Sequence, residues 1–345
     1  MRKQIYIAHT GGTIGMKQGA LGWEPAPGYL RQQMQAETVF QHPDMPEYVI
    51  EEFHPLLDSS NITPQDWARI AQSIGTNYEQ FDGFLVLHGT DTMSYTASAL
   101  AFMFENLGKP VILTGSQVPL CQPRTDAYEN LVTSLLIAAN FDIPEVALFL
   151  NNTLLRGCRS VKTNATAFEA FASPNFPPLA IAGVDIQVNR DLVRRTVDPS
   201  GPLWVQERMD PNVGVLWLFP GITSQFVSNC LRAPIKGLVL KAFGVGNGPS
   251  EDRAFMAAIR EATNRGVVVV ACTQSESGKV DLSSYATGSA LAAAGVIGGG
   301  DMTTEAALAK LSYLLGKGLA PSEVRALVAQ DLRGELSVDQ SSQAT

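Results

Sequence analysis

The strongest constraint on the fold is a series of short runs rich in Val, Ile and Leu that alternate with helical patterns. Residues 5–9, 48–53, 83–88, 110–114 and 146–151 read as strands, and residues 63–78, 93–107 and 126–140 between them read as helices. Strands this apolar are covered on both faces, which calls for a largely parallel sheet with helices on each side. One helix start is well signed: Thr63 is an N-cap candidate, Pro64 takes the first helical position, and Asp66 lies in the positive first turn.

From residue 185 to 212 the pattern dissolves into Pro, Gly, Asp and Arg, as in Asp198-Pro199-Ser200-Gly201-Pro202. Alternation then restarts. Residues 213–219, 237–242 and 266–272 read as strands, and 224–232, 250–264, 303–315 and 322–331 as helices. A chain of 345 residues is long for one core. The expected plan is therefore two α/β domains: a larger N-terminal domain of residues 1–190, a linker of residues 191–212, and a smaller C-terminal domain of residues 213–345. The polar tail after Gly334 is expected to fray.

Composition narrows the partners. The 25 basic and 33 acidic residues give a net charge of −8, and no Lys/Arg cluster favours a nucleic-acid or anionic-membrane partner. No run approaches the roughly 20 apolar residues of a membrane helix, and the N-terminus lacks the long apolar region of a secretory signal. A cytoplasmic protein is expected. The four cysteines (Cys121, Cys158, Cys230, Cys272) are dispersed and read as reduced, mostly buried packing residues. The four histidines have no metal-like spacing, so neither a metal nor a cofactor is expected.

In open α/β sheets, ligands sit beyond the carboxyl ends of the strands. The first strand runs into Thr10-Gly11-Gly12-Thr13-Ile14-Gly15, where paired glycines allow a tight bend and close approach of a ligand. The threonines can cap, donate or attack, and a plain tight turn explains this string about as well as a reactive loop. The G-x-G-x-x-G spacing of a dinucleotide loop is absent. A second strand ends in His88-Gly89-Thr90-Asp91-Thr92-Met93, which opens a helix. Helix capping explains one or two of these residues, but not two such loops after two strands.

Together, Ile7-Ala8-His9-Thr10-Gly11-Gly12-Thr13-Ile14-Gly15 and the segment from Gly83 to Met93 resemble the two signatures of the bacterial-type asparaginase/glutaminase family. The resemblance continues through Pro55-Leu56-Leu57-Asp58-Ser59-Ser60, Thr114-Gly115-Ser116-Gln117, Gly244-Val245-Gly246-Asn247-Gly248 and Ser284-Tyr285-Ala286-Thr287-Gly288. It covers nearly the whole chain and leans toward the cytoplasmic, type I branch.

The resemblance implies L-asparagine as substrate, with glutamine poorer, and Thr13 as the nucleophile that forms a β-aspartyl ester. It implies Thr90, Asp91 and Lys162 as a second catalytic set. Lysine can draw a proton from a threonine when desolvation or nearby positive charge lowers its pKa; read alone, Lys162 is a surface lysine. Asp91 is implied to bind the substrate ammonium, Asp58, Ser59 and Ser60 its carboxylate end, and Asn247 to reach in from a neighbouring subunit. A homodimer or homotetramer with active sites near subunit interfaces follows. His88, a lone histidine at a strand end, reads as structural. So do Tyr285 and the turn Gly298-Gly299-Gly300-Asp301-Met302-Thr303, expected to cap its helix through Asp301 or Thr303.

Two departures stand out. Trp23 falls where the family carries a lid tyrosine, and an indole N–H donates but cannot accept; Tyr29 is another source of a hydroxyl. Lys241 stands where an arginine would grip a carboxylate in the regulatory asparagine site of some members, with Thr273 nearby and Ser275 at a position that can hold cysteine. Two other readings remain. One is the amidotransferase subunit, which carries an extra N-terminal domain, whereas here the first signature is reached by Ile7. The other is a non-catalytic asparagine sensor, favoured only by Trp23.

Overall fold

Strand β1 (Gln4–Gly11) is the pivot of the computed structural model, which describes residues 2–20, 22–198 and 201–337. The chain folds as two compact units that divide between Glu207 and Arg208. In the first, β1 lies between β4 (Glu47–Leu57) and β5 (Gly83–Leu87), parallel to both. The sheet continues in parallel through β7 (Val111–Thr114) and β8 (Val146–Leu150). It then turns antiparallel through β9 (Thr153–Arg156), β12 (Ala180–Ala182) and β13 (Ile186–Val188). Every residue of β5, β7 and β8 is buried, as their unbroken apolar character requires. Each fully buried Leu, Ile or Phe there contributes roughly 1.5–3 kcal/mol. Strand order reverses at β1, the kind of switch point where α/β sheets bind ligands.

Helix α2 (Pro64–Asn77) begins as its sequence demands, with the Thr63 N–H and Oγ1 both donating to Asp66, at 3.0 and 2.7 Å. Helix α3 (Met93–Met103) is buried on every side but Tyr95. It is shorter than expected. The chain leaves it for a two-residue strand, β6 (Phe104–Glu105), which pairs with β14 (Trp204–Val205), and Asn106 then adopts φ 63°. Helix α4 (Ala127–Asn140) matches its expected span within a residue. Unexpected are a hairpin of β2 (Met16–Gly19) and β3 (Gly22–Pro25) and the helix α1 (Tyr29–Ala36) that follows it. A further short pair joins β10 (Val161–Lys162) to β11 (Phe171–Ala172).

The second unit holds four parallel strands in sequential order: β15 (Val213–Trp217), β16 (Gly237–Ala242), β17 (Val268–Thr273) and β18 (Ile297–Gly298). Its helices are α5 (Ser224–Cys230), α6 (Arg253–Asn264), α7 (Ala286–Ala293), α8 (Thr304–Gly316) and α9 (Pro321–Val328). Thr303 caps α8 by accepting the Ala306 N–H at 3.1 Å, whereas Asp301 binds the N–H and hydroxyl of Ser337. The tail after Gly334 does not begin to fray at once. Glu335 is fully buried and pairs with the equally buried Lys310 at 2.5 Å; residues 338–345 lie outside the described residues, as do Pro199 and Ser200 of the expected linker. Of the cysteines only Cys158 and Cys272 are buried, and Cys121 is exposed. Among the described residues no helix is long and apolar enough to cross a membrane.

Candidate active site

The loops after β1, β4, β5 and β7 converge, and glycine makes the convergence possible. Gly12, at φ +89°, lies against the backbone of the β5 loop: a Cβ on it would stand 2.7 Å from Gly89 Cα and from His88 C. Gly89 in turn lies against Ser59, whose Cβ would be 2.8 Å from any side chain added there. No other residue type fits this approach. Thr13 and Thr90, each following one of the touching glycines, therefore stand on adjoining backbone.

Hydrogen bonds lock the same loops. Thr10 Oγ1 donates to Leu87 O at 2.8 Å and Thr92 Oγ1 to Ser59 O at 2.7 Å. Asp58 Oδ1 accepts from both the N–H and the hydroxyl of Ser60, each at 2.9 Å. This leaves Ser59 buried in the turn and Ser60 exposed at its tip. Thr13, half-buried, opens the one-turn helix Thr13–Gly15.

The chemistry gathers around Thr90. Lys162, carried in by β10, donates to Thr90 Oγ1 at 2.9 Å and to Asp91 Oδ1 at 2.6 Å. Thr90 Oγ1 donates to Gln117 Oε1 at 2.8 Å, and Gln117 Nε2 to Ala167 O at 2.9 Å. The Lys162 side chain is 16% exposed and that of Asp91 67%, so the amine is shielded while the carboxylate opens to an incoming ligand. The Lys162 amine and the Thr90 hydroxyl thus stand within proton-transfer distance of each other. Gln117 is the member that sequence reasoning left without a role. The signal was a glutamine in a string just past the end of a buried parallel strand. Its backbone is fixed by Asp126, whose carboxylate accepts the N–H groups of Gln117 and Val118.

His88 belongs to the wall. Its Nδ1 donates to Gly89 O at 2.6 Å, its Nε2 accepts from Thr96 Oγ1 at 2.8 Å, and Thr96 Oγ1 accepts the Trp67 indole N–H at 3.0 Å. Full burial pushes its pKa down to about 4. Trp23 lies on the hairpin opposite Gln18 and is 40% exposed. Tyr29 is instead packed into the core at the start of α1, with the Lys17 ammonium 4.1 Å from its ring centre.

The remaining candidates lie in the second unit. Asn247 Oδ1 accepts the Thr287 hydroxyl at 2.6 Å. Lys241 is buried, donates to Thr273 O, and stands 5.3 Å from the Trp217 ring centre. Burial lowers the Lys241 pKa, raises that of Glu305, and pushes the Cys272 thiol up to about 12. The structure thus joins Lys241 to Thr273 through the backbone carbonyl, with the ammonium turned inward.

Residues 4–194 match the family model for the N-terminal domain of asparaginase, and residues 212–328 that for the glutaminase/asparaginase C-terminal domain. The chain belongs to the asparaginase family. It is 50% identical to L-asparaginase 1 of Escherichia coli K12 over 343 residues, covering 98% of this chain and 99% of that one. The structure of L-asparaginase I from Vibrio cholerae O1 superposes with a TM-score of 0.91 at 49% identity, covering 98% of this chain and 100% of the other. The thermostable L-asparaginase of Thermococcus kodakarensis gives 0.88 at 31% identity, with 97% and 100% covered. The Thr10–Thr13 loop, the Asp58–Ser60 turn, the Thr90–Asp91 pair, Gln117 and Lys162 all fall within the asparaginase N-terminal match.

Proposed function

We propose that this chain hydrolyses L-asparagine to L-aspartate and ammonia, with Thr13 as the nucleophile. The observation that carries the reading is Lys162 Nζ, bonded at once to Thr90 Oγ1 and Asp91 Oδ1 beside the loop that bears Thr13. An amide is a poor electrophile with a poor leaving group, and covalent catalysis divides the barrier in two. Thr13 Oγ attacks the side-chain carbonyl carbon while its proton passes to the Thr90–Lys162 pair. The C–N bond then breaks, the nitrogen takes a proton and leaves as ammonia, and a β-aspartyl ester remains on Thr13. Water, its proton drawn off by the same pair, attacks the ester carbonyl. The C–O bond to Thr13 breaks, aspartate is released, and the Thr13 hydroxyl is restored.

Binding follows charge. The exposed Asp91 carboxylate takes the substrate ammonium, and the Ser59–Ser60 turn, held by Asp58, takes the α-carboxylate through its N–H and hydroxyl donors. In this reading Asn247 completes the site from a second copy of the chain, in a homodimer or homotetramer acting in the cytoplasm. Lys241 and Thr273 are left as a regulatory pair.

Ammonia release from asparagine, with glutamine in parallel, tests the function. Wild type should release ammonia and Thr13→Ala should not. Equal release by both removes Thr13 from the mechanism; asparagine bound without turnover by wild type makes the chain a sensor.

A further inference from the structure

The segment after Thr13 runs out through the hairpin and comes back against Gly15. Ala26 N–H donates to Gly15 O at 3.2 Å, closing a loop whose outer part is the hairpin with Trp23. Beneath this closure lies His9, a fully buried imidazole whose ring nitrogens have no hydrogen-bond partner. Its register partner on the neighbouring parallel strand is Glu52, with Oε2 3.4 Å from His9 Nδ1. Both Glu52 oxygens accept the N–H of Gly28, at 3.1 and 3.0 Å, where α1 begins. On the other side Gly15 rests on the imidazole: a Cβ on it would stand 2.9 Å from Cε1 and Nε2.

One pair of side chains therefore supports both feet of the segment. Gly15, two residues beyond Thr13, bears on His9; Gly28, at the far end, hangs from Glu52. A buried ring without a hydrogen bond is costly and calls for a reason to be kept; here the Glu52 carboxylate lies beside its Nδ1 at 3.4 Å. We propose that His9 and Glu52 are a positioning pair for the reaction, clamping residues 15–28 at both ends and so holding Thr13 beside Thr90. The proposal rests on Thr13 being the nucleophile.

The test compares wild type with His9→Phe, Glu52→Gln, Glu52→Ala and the His9→Phe/Glu52→Ala double variant. The readouts are kcat and KM for asparagine, and hydrogen–deuterium exchange over residues 13–28 and 83–87. Misplacement of a reacting group by an ångström costs one to two orders of magnitude in rate, so Glu52→Ala should lower kcat by about tenfold or more. Exchange over residues 13–28 should quicken while residues 83–87 stay protected. Glu52→Gln, which keeps an acceptor for Gly28, should regain part of the rate. The double variant should be no slower than Glu52→Ala, because the pair acts as a unit. A Glu52→Ala enzyme with kcat within about twofold of wild type overturns the proposal, as does a loss of rate with unchanged exchange over residues 13–28. If Glu52→Ala fails to fold, Glu52→Leu, which also removes the acceptor for Gly28, carries the same comparison against Glu52→Gln. Thr13→Ala is run alongside. Activity surviving in it removes the nucleophile assignment itself; an inactive Thr13→Ala beside an unimpaired Glu52→Ala removes only the positioning role.

Discussion

Gly12 and Gly89 meet backbone to backbone, so closely that a Cβ on Gly12 would stand 2.7 Å from Gly89 Cα. That contact brings two threonine-bearing loops from two different strands into one site. Gly12→Ala adds a methyl group where none fits, at a φ of +89° that L side chains rarely adopt. Overpacking of this kind costs about 1–3 kcal/mol in stability, and the displaced loop should cost about a hundredfold in kcat. Steady-state kinetics and a urea melt of the variant measure both, and a fully active Gly12→Ala contradicts the geometry.

Lys162 holds its place by two bonds, to Thr90 and to Asp91. Lys162→Met keeps the length of the side chain and removes the amine. General acid–base groups contribute about 10²–10⁴-fold, so kcat should fall by that order while the melting temperature stays near wild type. A raised KM with kcat unchanged would assign Lys162 to binding alone.

Gln117 accepts the Thr90 hydroxyl and is itself anchored on Ala167 O. Gln117→Leu frees the Thr90 hydroxyl to rotate. A lost hydrogen bond of this kind is worth about 0.5–1.5 kcal/mol. The variant should therefore lose about two- to tenfold in kcat with little change in KM, as steady-state kinetics on purified enzyme would show; an unchanged kcat would leave Gln117 without a part in the reaction.

His88 refuses a proton in the fold until about pH 4, because burial disfavours its charged form. The unfolded chain takes that proton up near pH 6.5. Its contribution to stability is therefore complete above pH 6.5 and is lost as pH falls from 6.5 to 4, by up to about 3 kcal/mol. Denaturant melts at pH 4.5 and 7 should show a smaller difference for His88→Gln than for wild type. An identical difference means that His88 is not the titrating group.

Lys310 and Glu335 form a fully buried ion pair that fixes the end of the described chain to α8. Glu335 also accepts the N–H groups of Leu332 and Arg333, and Lys310 donates to Val328 O and Gln330 O. Glu335→Ala strands a buried ammonium, and breaking such a pair costs about 3–5 kcal/mol. The urea midpoint should drop accordingly, with kcat measured on the folded fraction unchanged.

The parallel strands were legible because a strand covered on both faces has an unmistakable local composition, as in Phe84-Leu85-Val86-Leu87. Features decided by distant partners were not. The expected helix over residues 93–107 overshot because its apolar pattern continues into Phe104, and only pairing with Trp204–Val205 turns Phe104–Glu105 into a strand. The hairpin Met16–Pro25 carries no alternating apolar pattern to announce it. At the candidate site, Gly12 and Gly89 announced themselves as glycine loops after strands. Lys162, some seventy residues beyond Thr90, had no local mark apart from family resemblance, and Gln117 had only its place at a strand end. Glu335 looked like part of a polar tail because nothing nearby in sequence betrays the buried lysine it meets.

In the proposed reaction Thr13 carries the acyl group. Wild-type enzyme is mixed rapidly with L-asparagine, quenched in acid before the first turnover completes, digested, and its peptides are weighed by mass spectrometry. An aspartyl adduct is expected on the peptide that contains Thr13 and none on the peptide that contains Thr90. An adduct on Thr90, or ammonia released in that turnover with Thr13 unmodified throughout, would contradict that role.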